Sequence, residues 1–398
     1  MEEIKAGFSA PATASAILSN AKSLRSWLHS RSNEIETARS LDADTVELLR
    51  QSGVFRMNMP TSWGGPELSS PEQVQILEEI SRGDVSAGWC AMIGSDSGLY
   101  SGYLDDGVAR DMYPHLDMVQ AGWVYPIGRA DEVEDGYKVT GNWLFCSGST
   151  HADIVAAGCT VYRNGEPALD PNGQPEWRIV LAPKEFWKFK DTWHTTGLKG
   201  TASNDYSTAA DYLLIPHEHT FSFSTPRREG TLWRKPDALL RKMAGVPLGL
   251  ARQAIDEAHS VLLEKRHRLS GVSYKQAATV QAGIAEAEMI LGRARSYVYR
   301  SLDTQWQRLQ DQVPLTAQER ADVWLSRLNA FLAARDVTRL LYDLIGADSI
   351  YTHKTALDRC LRDAQTMCQH LVGQSKGLVD VGGLLLDVDR DFPRSIML

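Results

Sequence analysis

Among the side chains able to do chemistry, the run Gly94-Ser95-Asp96-Ser97-Gly98 comes nearest to a nucleophile elbow, but it carries Asp96 where a nucleophilic serine would stand. There is no GxxxxGK[ST] phosphate loop, no GxGxxG after a strand and no HExxH pair, which sets aside P-loop, dinucleotide-fold and zincin chemistry. His217 and His219 are spaced as two metal ligands could be. They follow Pro216 in a loop with no carboxylate or cysteine set beside them, so no metal site is expected. Five dispersed cysteines (Cys90, Cys146, Cys159, Cys360, Cys368) include no CxxC pair, which points to a reducing compartment rather than a disulfide framework. Any nucleotide cofactor must therefore be held by helices and β-structure outside a nucleotide-binding α/β fold.

The elements that would position such groups fall into three zones. Up to about residue 117 the pattern is helical: Ser70-Pro71-Glu72-Gln73 offers an N-cap, a first-turn proline and a capping-box glutamine, followed by Val74, Leu77 and Ile80 at helical spacing. From about 118 to 230 the period shortens. Tyr137 and Val139 alternate with Lys138 and Thr140, Ile154-Ala157 and Ile179-Leu181 read as short buried strands, and Asp135-Gly136, Asn164-Gly165 and Asn172-Gly173 mark turns. Over 231–398 helical stripes return: Leu248, Ala251, Ile255, Ala258, Leu262, and then Val280, Ile284, Ala287, Leu291, Ala294, Val298. A third helix starts at the capping box Thr316 to Glu319 and runs to Gly346, and a fourth covers roughly Thr355 to Val372. The expected fold is mainly α with an inserted β-domain: helices (1–117), a β-barrel or sandwich (118–230) and a helical bundle (231–398).

With 398 residues, 43% hydrophobic and 23% charged, the chain has ample material for a packed core and no signature of disorder. A formal charge of −8 argues against a nucleic-acid partner. The first residues lack a basic stretch followed by an apolar core, and no run approaches about 18 apolar residues, so a cytoplasmic protein without a membrane partner is expected.

The order of segments resembles the acyl-CoA dehydrogenase fold, in which flavin lies between the β-domain and a four-helix bundle. The resemblance spans nearly the whole chain. Its most specific stretch is Gly136-Tyr137-Lys138-Val139-Thr140-Gly141-Asn142-Trp143-Leu144-Phe145-Cys146-Ser147-Gly148-Ser149, similar to the family's flavin-lining strand pair. A second stretch, from Asp191-Thr192-Trp193 through Gly197-Leu198-Lys199-Gly200-Thr201-Ala202-Ser203 to Asp205, is similar to a segment of the oxygenase branch. Dehydrogenases of this fold commonly carry a catalytic glutamate after an Arg-Asp pair. Here Arg362-Asp363 is followed by His370-Leu371 where Tyr-Glu would stand, which resembles the two-component flavin-dependent monooxygenases instead.

That resemblance implies a set of site residues. Ser147 matches the family's hydroxyl at flavin N5, where a short hydroxyl can accept from N5–H. His370, with an ordinary pKa of ~6.5, is implied either to hydrogen-bond an oxygen adduct or to deprotonate a phenol or indole N–H. Trp123 and Phe145, with Trp143 as a weaker candidate, would wall the ring. Thr201 and Ser203 would donate near it, and Arg266 and Arg268 would clamp cofactor phosphate. Ser95 and Asp96 fall where relatives touch substrate, and Asp96 is expected to accept an N–H from it.

The resemblance further implies reduced FMN or FAD delivered by a separate NAD(P)H-dependent flavin reductase, O2 as co-substrate, and hydroxylation of a phenolic or indolic small molecule through a C4a-hydroperoxide. A homotetramer is also implied. The alternatives are an acyl-CoA dehydrogenase-type oxidoreductase, an N- or S-oxygenase on the same scaffold, and a helical binding protein without catalysis.

Overall fold

The computed structural model describes residues 7–267 and 269–388. Among the described residues six helices form the N-terminal part: α1 (Ala14–Ala38), α2 (Ala43–Ser52), α3 (Ser70–Gly83), α4 (Val85–Gly94), α5 (Asp96–Ser101) and α6 (Asp106–Met112). Polar caps start them: Asp42 accepts from Thr45 N at 2.7 Å and Asp84 from Ala87 N at 2.9 Å. The capping box of α3 lies one residue earlier than expected. The Glu72 carboxylate accepts from the backbone N–H and the hydroxyl of Ser69, because two adjacent serines meet two adjacent Glu/Gln residues and the ionised group is the stronger acceptor. Helix α4 is buried almost all round, as its Val85-Ser86-Ala87-Gly88-Trp89-Cys90 sequence allows.

The β-domain has ten strands: β1 (Gln120–Val133), β2 (Gly136–Thr140), β3 (Asn142–Cys146), β4 (Ile154–Arg163), β5 (Glu166–Pro167), β6 (Trp177–Pro183), β7 (Trp187–Lys190), β8 (Asn204–Thr208), β9 (Leu213–Ile215) and β10 (Thr220–Phe221). One sheet runs β10-β6-β4-β1-β2-β9, with β5 on β4, and a second runs β3-β8-β7. The β1–β4 pair is parallel and the other pairs are antiparallel. Trp143 fills the core of this domain. It is fully buried, its indole stacks on Tyr206 at 5.5 Å, and its N–H donates to Gly158 O at 2.8 Å. Its candidacy as a ring wall is thereby corrected to a packing role.

The C-terminal part holds α7 (Ala238–Arg241), α8 (Gly245–Glu264), α9 (Ala278–Gln310), α10 (Ala317–Ile345), α11 (Leu357–Met367) and α12 (Leu378–Leu385). Helix α10 starts at the Thr316–Glu319 capping box. The stripes of α8 and α9 face a core that also takes Ile17, Leu24 and Leu28 of α1 and Val74, Leu77 and Ile80 of α3. The terminal helices thus share one hydrophobic interior, with the β-domain between them in sequence. Helix α11 ends at Met367, earlier than the expected Val372. His370 lies beyond it in extended conformation, and its Nδ1 accepts from Val372 N at 3.4 Å, starting a single turn over Leu371–Gly373.

Candidate functional site

Strand β3 delivers Ser147, and it does so under strain. Phe145 sits in the left-handed region at φ 57°, and the pairing of β3 with β8 slips between Trp143 and Cys146, so the chain turns sharply out of the sheet. The neighbouring loop adds two more left-handed non-glycine residues, Leu198 (φ 50°) and Ala202 (φ 45°). Such backbone persists only where surrounding contacts over-determine it. Those contacts are present. Gly148 N donates to Thr201 O at 2.8 Å, and Leu198 N donates to Asp363 Oδ1 of α11 at 2.6 Å. Gly197 lies so close to α11 that a Cβ would come within 2.3 Å of Arg362 O.

The result is a relay of hydroxyls. Thr201 Oγ1 donates to Leu198 O at 2.8 Å and lies 2.7 Å from Ser203 Oγ, which is 2.8 Å from Ser147 Oγ. Trp89 of α4 donates its indole N–H to Ser147 Oγ at 3.1 Å. The ring of Trp89 meets His370 edge-on, with centroids 5.4 Å apart. Burial, assisted by the positive charge of Arg327, lowers the His370 pKa to about 4, so the imidazole is neutral near pH 7. Because Nδ1 accepts from Val372 N, the ring proton of the neutral form sits on Nε2, leaving that nitrogen as a donor.

Beside the hydroxyls lies an aromatic wall. The rings of Trp123 and Phe145 are 5.5 Å apart, those of Phe145 and Trp193 are 6.1 Å apart, and Phe145 is 48% exposed despite its strained backbone. Trp123 Nε1 is buried without a hydrogen-bond partner. Asp363, which ties the 193–203 loop to α11, has its pKa pushed up to about 7 by burial.

Ser147, Thr201, Ser203 and His370 are thus brought together, with Trp123 and Phe145 adjoining. Ser95 and Asp96 are not available as expected. Ser95 is fully buried, and Lys242 Nζ donates to its hydroxyl at 2.8 Å and to Asp96 Oδ1 at 2.7 Å, so the acceptor proposed for a substrate N–H already holds a buried lysine. Arg266 lies on an exposed hairpin paired with Ser273, where its guanidinium donates to Gly271 O. Arg268 lies outside the described residues. His217 Nε2 meets Val133 O, and among the described residues no group of three or more His, Cys, Asp or Glu is placed to hold a metal. Sequence reasoning missed Trp89, Trp193, Lys242 and Asp363. Two of these carried a signal, Trp193 as part of the 191–205 stretch and Asp363 as part of the Arg362-Asp363 pair, but neither sequence context assigned the role seen here.

Residues 21–105 match the family description "Acyl-CoA dehydrogenase, N-terminal domain" and residues 242–375 match "Acyl-CoA dehydrogenase, C-terminal domain". An indole-3-acetate monooxygenase of Pseudomonas putida is 30% identical over 85% of this chain and 86% of its own length. The chain belongs to the flavin-dependent monooxygenases of the acyl-CoA dehydrogenase fold. The HsaA monooxygenase from M. tuberculosis aligns at 20% identity with a TM-score of 0.87, covering 97% of this chain and 100% of that one, and so shares the fold. A complex of TdsC from Paenibacillus sp. A11-2 with FMN and indole does likewise, at 20% identity and TM-score 0.79 over 97% and 99% of the two chains.

As a flavin-dependent monooxygenase the chain is the oxygenase component of a two-component system, using reduced flavin and O2, with a separate flavin reductase as partner. The residues present fit such a cofactor. An unpartnered indole N–H, an exposed aromatic wall and a relay of hydroxyls offer one planar group both stacking faces and polar contacts at its edge. No helix among the described residues is long and apolar enough to cross a membrane.

Proposed function

We propose that this oxygenase hydroxylates a phenolic or indolic small molecule, with Trp123, Phe145, Thr201, Ser203 and Ser147 holding the reduced flavin and His370 facing the reacting atoms. The observation that carries the reading is the convergence of Ser147 and His370 on Trp89 from two separate parts of the chain. Reduced flavin supplies the electrons that activate O2, one oxygen atom passing to the ring and the other to water. Ser147 is oriented by Trp89 and Ser203, so its hydroxyl is fixed before the cofactor arrives. Trp123, Phe145 and Trp193 would lie against the bound ring and screen that side of it from water. Of the two roles the family resemblance implies for His370, the donor role fits better: a neutral ring with Nδ1 committed and a pKa near 4 is a weak base, while its Nε2–H can stabilise developing negative charge on oxygen.

The relatives named above, one an indole-3-acetate monooxygenase and one seen with indole, support the aromatic substrate class. Exposed Leu371, Leu378, Val379 and Leu385 near the C-terminus fit burial between copies, in keeping with a homotetramer.

The test is single turnover. Protein loaded with reduced FMN or FAD is mixed with O2 and a phenol or indole, and hydroxylated product and H2O2 are counted per flavin oxidised. Wild type is expected to favour product, whereas Ser147→Ala and His370→Ala are expected to release H2O2, with Ser147→Thr restoring part of the coupling because it keeps a hydroxyl. Two variants that couple like wild type overturn the site assignment. Anaerobic bleaching of bound oxidised flavin by an acyl-CoA thioester overturns the oxygenase reading itself.

A further inference from the structure

A second polar centre lies where α7 meets α9 and α10, and the hydroxyl relay does not use it. Its hub is Asp237, 2% exposed, which accepts from Arg241 Nε at 2.9 Å, from Arg241 Nη2 at 2.6 Å and from Gln305 Nε2 at 2.7 Å, and pairs with Lys235 Nζ at 3.2 Å. Arg327 of α10, 3% exposed, follows Ser326, whose hydroxyl lies 2.7 Å from that of Ser301 on α9, one turn before the Gln305 that bonds Asp237; its charge acts on Asp237, Lys235 and His370. Buried Arg241 and partly buried Lys235 therefore share the Asp237 carboxylate, and buried Arg327 adds a third positive charge with no ion pair of its own among the described residues. Burial lowers the Arg327 pKa only to about 10, which leaves it charged at neutral pH.

The hydrogen-bond ledger of this centre does not close. Arg327 Nε and Nη2, Arg241 Nη1, Gln305 Oε1 and the hydroxyl of Tyr103 are all buried without a partner. Tyr103, 2% exposed, feels the charges of Arg241 and Asp237 and stacks on Phe221 at 5.2 Å. Buried unpaired charge is costly, so a surplus of cationic donors with an aromatic neighbour points to a missing anion. The free edge of Arg327 narrows the chemistry: Nε and Nη2 are the two parallel donors of one guanidinium side, the fork that matches a carboxylate.

We infer that Arg327, assisted by Arg241, takes the carboxylate of an aromatic acid and thereby sets the substrate class of the oxygenase. This rests on the proposed oxygenase reading; α10 links the anion site to the reaction centre, since Phe331, one turn beyond Arg327, accepts at its carbonyl from Cys368 Sγ at 3.4 Å, two residues before His370. A bound carboxylate would pair the surplus charge and give the Nε and Nη2 donors their acceptors.

The test compares two matched pairs on the full chain by calorimetry, with and without reduced flavin: indole-3-acetate against indole-3-acetamide, and phenylacetate against phenylacetamide. For wild type at least one acid is expected to bind about tenfold or more tighter than its amide, as a charge-assisted bidentate contact implies. Arg327→Met is expected to erase that preference, leave amide affinity within about threefold, and melt no lower than wild type, since it removes an unpaired buried charge. Should Arg327→Met fail to fold, Arg327→Lys, which keeps the charge and loses the fork, is expected to cut the preference by a smaller factor.

Equal binding of acid and amide by wild type overturns the inference, as does a preference unchanged in the variants. FMN affinity falling relative to riboflavin in Arg327→Met also overturns it, because the site would then serve cofactor phosphate. The oxygenase reading fails separately, if acid preference is intact but neither ligand class yields flavin-dependent product.

Discussion

The Lys242–Asp96 pair offers a quantitative test of how this protein is held together beside its site. Its atoms are 2.7 Å apart, Lys242 is 1% exposed and Asp96 4%, and Ser95 Oγ supplies the other contact to the ammonium. At an effective dielectric of ~20 such a separation is worth roughly 6 kcal/mol of attraction, against desolvation costs of several kcal/mol for each ion. The net worth of the intact pair is therefore near zero, while removing one partner strands the other. Asp96→Leu and Lys242→Met are each expected to cost about 3–5 kcal/mol, and the double variant less than either. Against a total stability of about 5–15 kcal/mol the single losses are plain in urea unfolding. Flavin binding and turnover of the double variant complete the assay. Losses in the two single variants that simply add in the double, or singles below about 1 kcal/mol, refute the coupling. A stable Asp96→Asn protein that binds flavin but no longer binds the aromatic substrate would restore the substrate contact first expected of Asp96.

Two further outcomes concern pH. His370 titrates near 4 in the fold against an ordinary ~6.5, so the unfolded chain binds the extra proton between those values; stability present above about pH 6.5 is lost as pH falls toward 4, by at most about 3 kcal/mol, and His370→Gln should flatten that part of a melting-temperature profile. Asp363 has the opposite sign: with its folded pKa raised to about 7, its contribution is full below the ordinary carboxylate range and is lost as pH rises through 7. Asp363→Asn keeps an acceptor for Leu198 N without ionising, so it should gain on wild type at pH 8 relative to pH 5. An unchanged difference between the two pH values would count against a buried, protonated Asp363.

Local chemistry carried much of the architecture into the sequence. Apolar residues at steps of three and four announce α8 and α9 because one face of each meets the core, and Thr316–Glu319 marks the start of α10 because only a polar pair can satisfy its first N–H groups. Ser147 and Ser203 were legible within strings of residues typical of a family. Partners far apart in the chain were not. Trp89 lies 58 residues from Ser147, Lys242 lies 146 from Asp96, and Leu198 lies 165 from Asp363. No periodicity links such pairs, since packing of separate elements alone brings them within hydrogen-bond reach. For the same reason no local pattern marks Lys242, Arg241 and Arg327 as buried, yet the fold sets Lys242 against Asp96 and Arg241 against Asp237 and encloses Arg327. Sequence alone determined which residues could do chemistry; tertiary structure decided which were already spoken for and which were left with donors unpaired, because burial and partnership are properties of the packed interior.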